Sequence, residues 1–198
     1  MKAVRVEGTL DPQLSRWLWL VKWLLIIPHV IVLAFLWIAF LLLTIVAFFA
    51  ILVTGRYPRG MFDFNLGVLR WTWRISYYSY GALGTDRYPP FSLGEAPDYP
   101  ARFDVSYPER LSRGKVLVKW WLLAIPHYIV LGALDGLATV LVLIAGIVLL
   151  FTGRYPQGLF DFTMGLNRWV FRVIPYAALM TDEYPPFRLD QGGSEPTA

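Results

Sequence analysis

TGRYPRGMFDFNLGVLRWTWR, residues 54–74, returns as TGRYPQGLFDFTMGLNRWVFR at residues 152–172, with 13 of the 21 positions identical. Each copy follows a long apolar run, opens on a Gly-Arg-Tyr-Pro turn, and then reads as a helix carrying one Asp and two Arg through apolar surroundings. Outward from this block the repetition continues. Leu14-Ser15-Arg16 recurs as Leu111-Ser112-Arg113, Val21-Lys22-Trp23 as Val118-Lys119-Trp120, and Ile27-Pro28-His29 as Ile125-Pro126-His127. Thr85-Asp86-Arg87-Tyr88-Pro89-Pro90-Phe91 returns as Thr181-Asp182-Glu183-Tyr184-Pro185-Pro186-Phe187. The chain is two copies of one unit of roughly 90 residues, and that self-similarity governs every later step.

Of 198 residues, 57% are hydrophobic and 16% charged, against about 25% charged in a soluble domain. A bilayer is the solvent this composition suits. The net charge of +4 lies mostly beside the apolar runs, where it fits anionic lipid heads better than a nucleic-acid stripe, and no nucleic-acid partner is expected. The absence of cysteine excludes disulfides, thiolate metal sites and cysteine nucleophiles. Glu7, Asp11 and Pro12 stand where a signal peptide would need an apolar core, so the first helices read as permanent membrane elements.

Val30 to Val53 is 24 residues without a charge, and Ile129 to Phe151 is 23 with the single Asp135. A bilayer core takes about 20, so both read as transmembrane helices. Pro28 and Pro126 predict a kink or break before each. Ahead of the first, Trp17, Trp19 and Trp23 mixed with Arg16 and Lys22 read as an interfacial belt, with Lys115 to Trp121 as its second copy. Gly55 and Gly153 read as left-handed helix caps, with Arg56 and Arg154 just beyond, within reach of phosphate. Residues 3–7 and 102–106 alternate apolar and polar, as short strands on a polar surface do.

The next helix, Phe62 to about Leu83 and Phe160 to Met180, is amphipathic. Asp63, Gly67, Arg70 and Arg74 share one face, and Asp161, Gly165, Arg168 and Arg172 repeat it. Arginines cannot face lipid at mid-depth. The helix must turn its stripe inward and span, or lie in the interface; its length favours spanning. The expected fold is thus an all-α integral membrane protein of two tandem repeats, each a proline-kinked transmembrane helix plus a second, spanning helix, with short strands in the polar flanks. Residues 1–91 form the first repeat, 92–115 a mainly polar linker that starts the second, 116–189 the second repeat, and 190–198 a disordered tail. Lys2, Arg5, Arg16, Lys22, Arg87, Arg102, Arg110, Arg113, Lys115, Lys119 and Arg188 fall on the side of the termini and linker, against Arg56, Arg59 and Arg154 in the two turns, and the positive-inside rule places the richer side in the cytoplasm of a multi-pass cell-membrane protein. Two spans per unit also make the repeats parallel, related by an axis along the membrane normal.

Through Ile-Pro-His, Thr-Gly-Arg-Tyr-Pro, Phe-Asp-Phe followed by Arg-Trp, and Tyr-Pro-Pro-Phe, the sequence resembles the domain-of-unknown-function family 4389, from about Arg5 to Leu189. The resemblance implies a bacterial integral membrane protein with tandem units and supplies no activity or site residue. Trp37 stands in the first copy where the second has Asp135, so that acid is not part of the shared unit.

Arg70, Arg74, Arg168 and Arg172, with Arg56 and Arg154, are the candidate anion- or lipid-phosphate ligands, because a guanidinium fork matches phosphate oxygens. Asp63 and Asp161 are the expected charge partners. Asp135, between Gly132 and Gly136, is an intramembrane acid suited either to a proton or cation path or to a hydrogen-bonded helix contact. His29 and His127 make an incomplete metal set, so no metal or cofactor is expected. Ser76 and Ser79 lack a neighbouring base, and no nucleophile elbow occurs. The leading expectation is a non-enzymatic protein that binds lipid or organises a complex, its partners being membrane lipids and a second copy or another membrane protein. The alternative is a small transporter or channel lined by the stripe and Asp135.

Overall fold

The computed structural model describes residues 3–190. Its elements are β1 (Val4–Gly8), α1 (Lys22–Leu25), α2 (Ile27–Thr54), α3 (Arg59–Tyr78), β2 (Ala101–Val105), α4 (Arg113–Val118), α5 (Ile125–Thr152) and α6 (Gln157–Ala177), with a 3-10 turn at Leu18–Leu20 and a π turn at Lys119–Leu123. Proline decides where the long apolar helices begin. Pro28 and Pro126 occupy the first turn of α2 and α5, where a missing N–H leaves no bond unmade, and the chain breaks from the short segment ahead. Glycine decides where they end: Gly55 and Gly153 are left-handed caps at φ 72° and 71°, and Gly55 N–H returns to the Ile51 carbonyl at 2.7 Å. The expected Lys2 and the tail beyond Asp190 lie outside the described residues.

Segment 27–54 and segment 113–152, which contains α5, are long and apolar enough to cross a membrane, judged by length and composition. The second helix of each unit is enclosed by the rest of the chain. Phe62, Asn65, Leu66, Gly67, Val68, Leu69, Trp71, Trp73 and Arg74 are buried in α3, and α6 matches it; both are core helices, covered on several sides by protein.

What covers α3 follows from its helical angle. Asn65 Nδ2 donates to Thr44 Oγ1 at 3.1 Å, and Trp37 Nε1 donates to Thr72 Oγ1 at 3.2 Å, so Asn65 and Thr72 mark the side against α2. At 3.6 residues per turn, Gly67, Arg70 and Arg74 fall within an arc of about 60° centred almost opposite, and that side carries β2 and the chain around Leu93. Trp73, on the flank, meets Phe171 of α6 with ring centroids 5.0 Å apart, and Ser76, nearer the α2 side, meets Asn167 of α6. The molecule is therefore layered: β1, β2 and the loops on top, α3 and α6 in the middle, α2 and α5 beneath.

The two units run head to tail along their layers. The equivalent strands β1 and β2 pair antiparallel, Val6 opposite Phe103. At the exit of α3, Ala82 O accepts from Tyr155 Oη at 3.0 Å, at the start of α6. Leu111 N–H bonds the Gly55 carbonyl at the end of α2, while Trp19 and Arg16 pack on Gly146 and Gly153 of α5. The units also exchange strands, since β1 lies on α6 and β2 on α3. Nor is the sheet wholly a polar surface: Val6, Ala101, Phe103 and Val105 are buried, so one face closes the core while Arg5, Arg102 and Asp104 face outward.

Candidate functional site

The arginine stripe is occupied by the protein's own backbone. Arg70 pairs with Glu95 at 2.9 Å and Asp104 at 2.8 Å, and donates through Nε to the Phe103 carbonyl at 3.2 Å. Arg74, one turn on and buried, donates to the carbonyls of Gly94, at 3.0 Å, and Ser92. In α6, Arg172 holds the carbonyls of Arg188, at 3.0 Å, and Asp190 in the same way. The glycine of each stripe lets the held segment come close: a Cβ on Gly67 would stand 2.8 Å from Leu93 Cβ, and one on Gly165 would stand 2.6 Å from Leu189 Cβ. Arg168, the counterpart of Arg70, has a buried Nε with no hydrogen-bond partner among the described residues. Burial holds the Arg74 pKa below its ordinary value, a pull the like charge of Arg70 reinforces and Tyr99 opposes.

The acids expected to neutralise this stripe do not reach it. Asp63 pairs with Arg59 at 3.2 Å and Asp161 accepts from Gln157 at 2.8 Å, both one turn back on the same helix and exposed. Asp63 lies two turns from Arg70, and an aspartate side chain spans one turn. A cleft of about 220 Å³ opens beside Arg70 and Arg74, lined also by Arg5, Glu7, Glu95, Arg102 and Asp104; its charges largely answer one another. A different arginine cluster is open. Arg56, expected to reach phosphate, lines with Arg110 and Arg113 a recess of about 500 Å³ at the C-terminal end of α2. Arg154 is exposed after α5, and Asp135 falls within α5.

Two further constellations recur in both units. Lys22, 1% exposed, pairs with Asp86 at 2.9 Å and donates to the Thr85 carbonyl at 2.6 Å. Lys119 repeats this with Asp182 at 2.6 Å and the Thr181 carbonyl at 2.7 Å. Reading Lys22 as part of a head-group belt missed this pair. Its sequence signal was the joint return of Lys22 and Thr85-Asp86 in the second unit, which ties them as partners. Burial lowers the Lys22 pKa from 10.5, against the opposing pull of Asp86.

His29 and His127 are also internal. Trp71 Nε1 donates to His29 Nδ1, and Trp169 Nε1 to His127 Nδ1, each at 3.0 Å. Phe91 and Phe187 stack on the rings at 3.8 and 4.2 Å. Because the tryptophan donates, Nδ1 is an acceptor and the neutral ring carries its proton on Nε2. The histidines thus dock the Tyr-Pro-Pro-Phe loop onto the helix start of their own unit. Among the described residues no group of three or more His, Asp or Glu is placed to hold a metal.

The repeated elements that make these contacts are those a known family shares. A model of a domain of unknown function, DUF4389, matches the chain in two segments, residues 16–92 and 115–188. No curated protein and no solved structure matches. The two matched segments cover most of the chain, one for each unit, and the protein belongs to the DUF4389 family as a tandem pair.

Proposed function

We propose that the protein is a non-enzymatic membrane protein that holds lipid against α2, α5 and the tryptophan-rich segments before them, and presents its charged sheet to water and to a partner. One observation carries the reading. The large exposed apolar side chains, among them Trp17, Trp23, Phe35, Leu42, Phe49, Trp120, Ile129, Ile144 and Phe151, lie in residues 17–53 and 117–151 or in the two Tyr-Pro-Pro-Phe loops. Apolar surface this contiguous marks an interaction site, and tryptophans at its margin suit the head-group boundary. The holding role is favoured over transport because the inner arginines already bind the chain's own carbonyls.

The phosphate-binding role belongs to the open recess of Arg56, Arg110 and Arg113, where each cation near an anionic surface contributes about 1 kcal/mol. Replacing these arginines by Gln should weaken binding to anionic vesicles by about fivefold per residue and leave binding to zwitterionic vesicles unchanged. The wider reading is tested by flotation with liposomes and by mass spectrometry of co-purifying lipid. A chain that stays in detergent-free solution without lipid would overturn it. Solute or ion flux in reconstituted vesicles, lost in Asp135→Ala, would establish transport instead.

A further inference from the structure

We propose that the apolar layer sits in one leaflet of a bilayer, with α2 and α5 lying in the membrane plane and crossing it nowhere. The inference rests on the reading of the protein as lipid-associated and specifies how it meets the lipid.

The argument starts from the height of the charged groups along α2. Arg70 lies between Asn65 and Thr72, whose partners on α2 are Thr44 and Trp37, so it stands beside the middle of that 28-residue helix. Its ion-pair partners are exposed, Asp104 by 55% and Glu95 by 75%. Were α2 to run along the membrane normal, these carboxylates, the exposed Arg102 and a two-stranded sheet with open edges would lie at the bilayer centre. Charges there are costly, and lipid-exposed sheet edges do not occur in hydrocarbon. Turning α2 into the plane removes the conflict at once.

The layer order makes that turn sufficient for both units. α2 and α5 lie on the side of α3 and α6 opposite the sheet, so one flat interface takes both. α2 is about 42 Å long at 1.5 Å per residue. Its buried residues, His29, Leu33, Phe40, Ala47 and Ile51, form one stripe, and Phe35, Ile38, Leu42, Phe49 and Val53 form the opposite, exposed one. A helix of about 10–12 Å diameter fits within half of a hydrocarbon core of about 30 Å. Interfacial helices bury their apolar face about 5–10 Å deep. Arg56 and Arg154 then flank opposite ends of the layer at one head-group level.

The natural chain has no cysteine, so single exposed replacements report position cleanly. Spin labels at Ile31→Cys, Leu42→Cys and Val53→Cys, which share the exposed face of α2, in the full chain reconstituted in liposomes should show one common depth in one leaflet. Ile129→Cys, Val140→Cys and Phe151→Cys repeat the measurement on α5 should an α2 variant fail to fold. Arg56→Cys, Arg154→Cys and Arg102→Cys should all react with a membrane-impermeant thiol reagent from the same side. Liposome flotation with Leu42 deepest and Ile31 and Val53 shallow, or with Arg56 and Arg154 on opposite sides, would overturn in-plane seating and leave the lipid-associated reading standing. Labels that never contact lipid, on a chain that does not float, would overturn both, with a protein partner or a second copy covering the layer.

Discussion

A methyl group added at Gly67 would meet both the Cβ of Leu93 and its carbonyl oxygen, at 2.8 and 2.9 Å, and the backbone oxygen cannot move without releasing the chain that Arg74 holds. Gly67→Ala is therefore expected to destabilise by about 1–3 kcal/mol, as overpacking does, read as a lower thermal midpoint in detergent. Gly60 sits in the first turn of α3 with open space around it, so Gly60→Ala should be neutral or stabilising by up to about 1 kcal/mol. Lys22 offers a second test. Removing it alone, as Lys22→Met, leaves Asp86 without its buried cation and should cost about 3–5 kcal/mol, whereas Lys22→Met with Asp86→Asn should recover much of the loss. The pair also has a pH signature. The unfolded chain keeps the lysine proton to about 10.5, while burial makes the folded chain release it earlier. Between the lowered value and 10.5 the unfolded state binds more protons, so stability rises with pH there. Denaturant titrations should show the wild type gaining on the double variant as pH climbs from neutral toward 10.5.

At the scale of the element, α3 and α6 show what sequence patterning could and could not deliver. The stripe of Gly67, Arg70 and Arg74 was legible as one face, as were the proline starts and glycine ends of α2 and α5, because each rests on local geometry. The occupant of the stripe was not. Arginines withdrawn from lipid need acceptors, and the nearest acids in sequence, Asp63 and Asp161, were the natural assignment. The acceptors are the carbonyls of residues 92, 94, 103, 188 and 190 and the carboxylates of Glu95 and Asp104, brought in by segments whose paths no periodicity encodes. The strands were legible for a similar reason, and their exchange between units was not, since pairing partners are set by topology. The staple itself predicts a local effect. Arg74→Ala should leave the Ser92 and Gly94 carbonyls unmet, cost about 1.5–3 kcal/mol, and make the chain at residues 92–97 the first site of limited proteolysis. Arg74→Lys keeps the charge without the planar fork and should fall between Ala and the wild type in cleavage rate.

Taken whole, the molecule is two units that do not close their own cores. Strand β1 precedes the first unit and covers α6 of the second, while β2 precedes the second and covers α3 of the first. Trp19 likewise packs on α5, and Leu111 bonds the end of α2. Residues 1–96 or 97–198 made alone should remain unfolded or aggregate, whereas the two fragments made together should co-purify as one particle; independent folding of either half would contradict the exchange. Reciprocal exchange about a two-fold axis has the geometry of a homodimer whose subunits trade arms. A chain bearing one such unit could complete its fold only by meeting its own copy. Joining the copies in tandem removes the concentration dependence of that meeting, and it frees each half to lose what the other keeps, as Trp37 and Asp135 at matching positions already record.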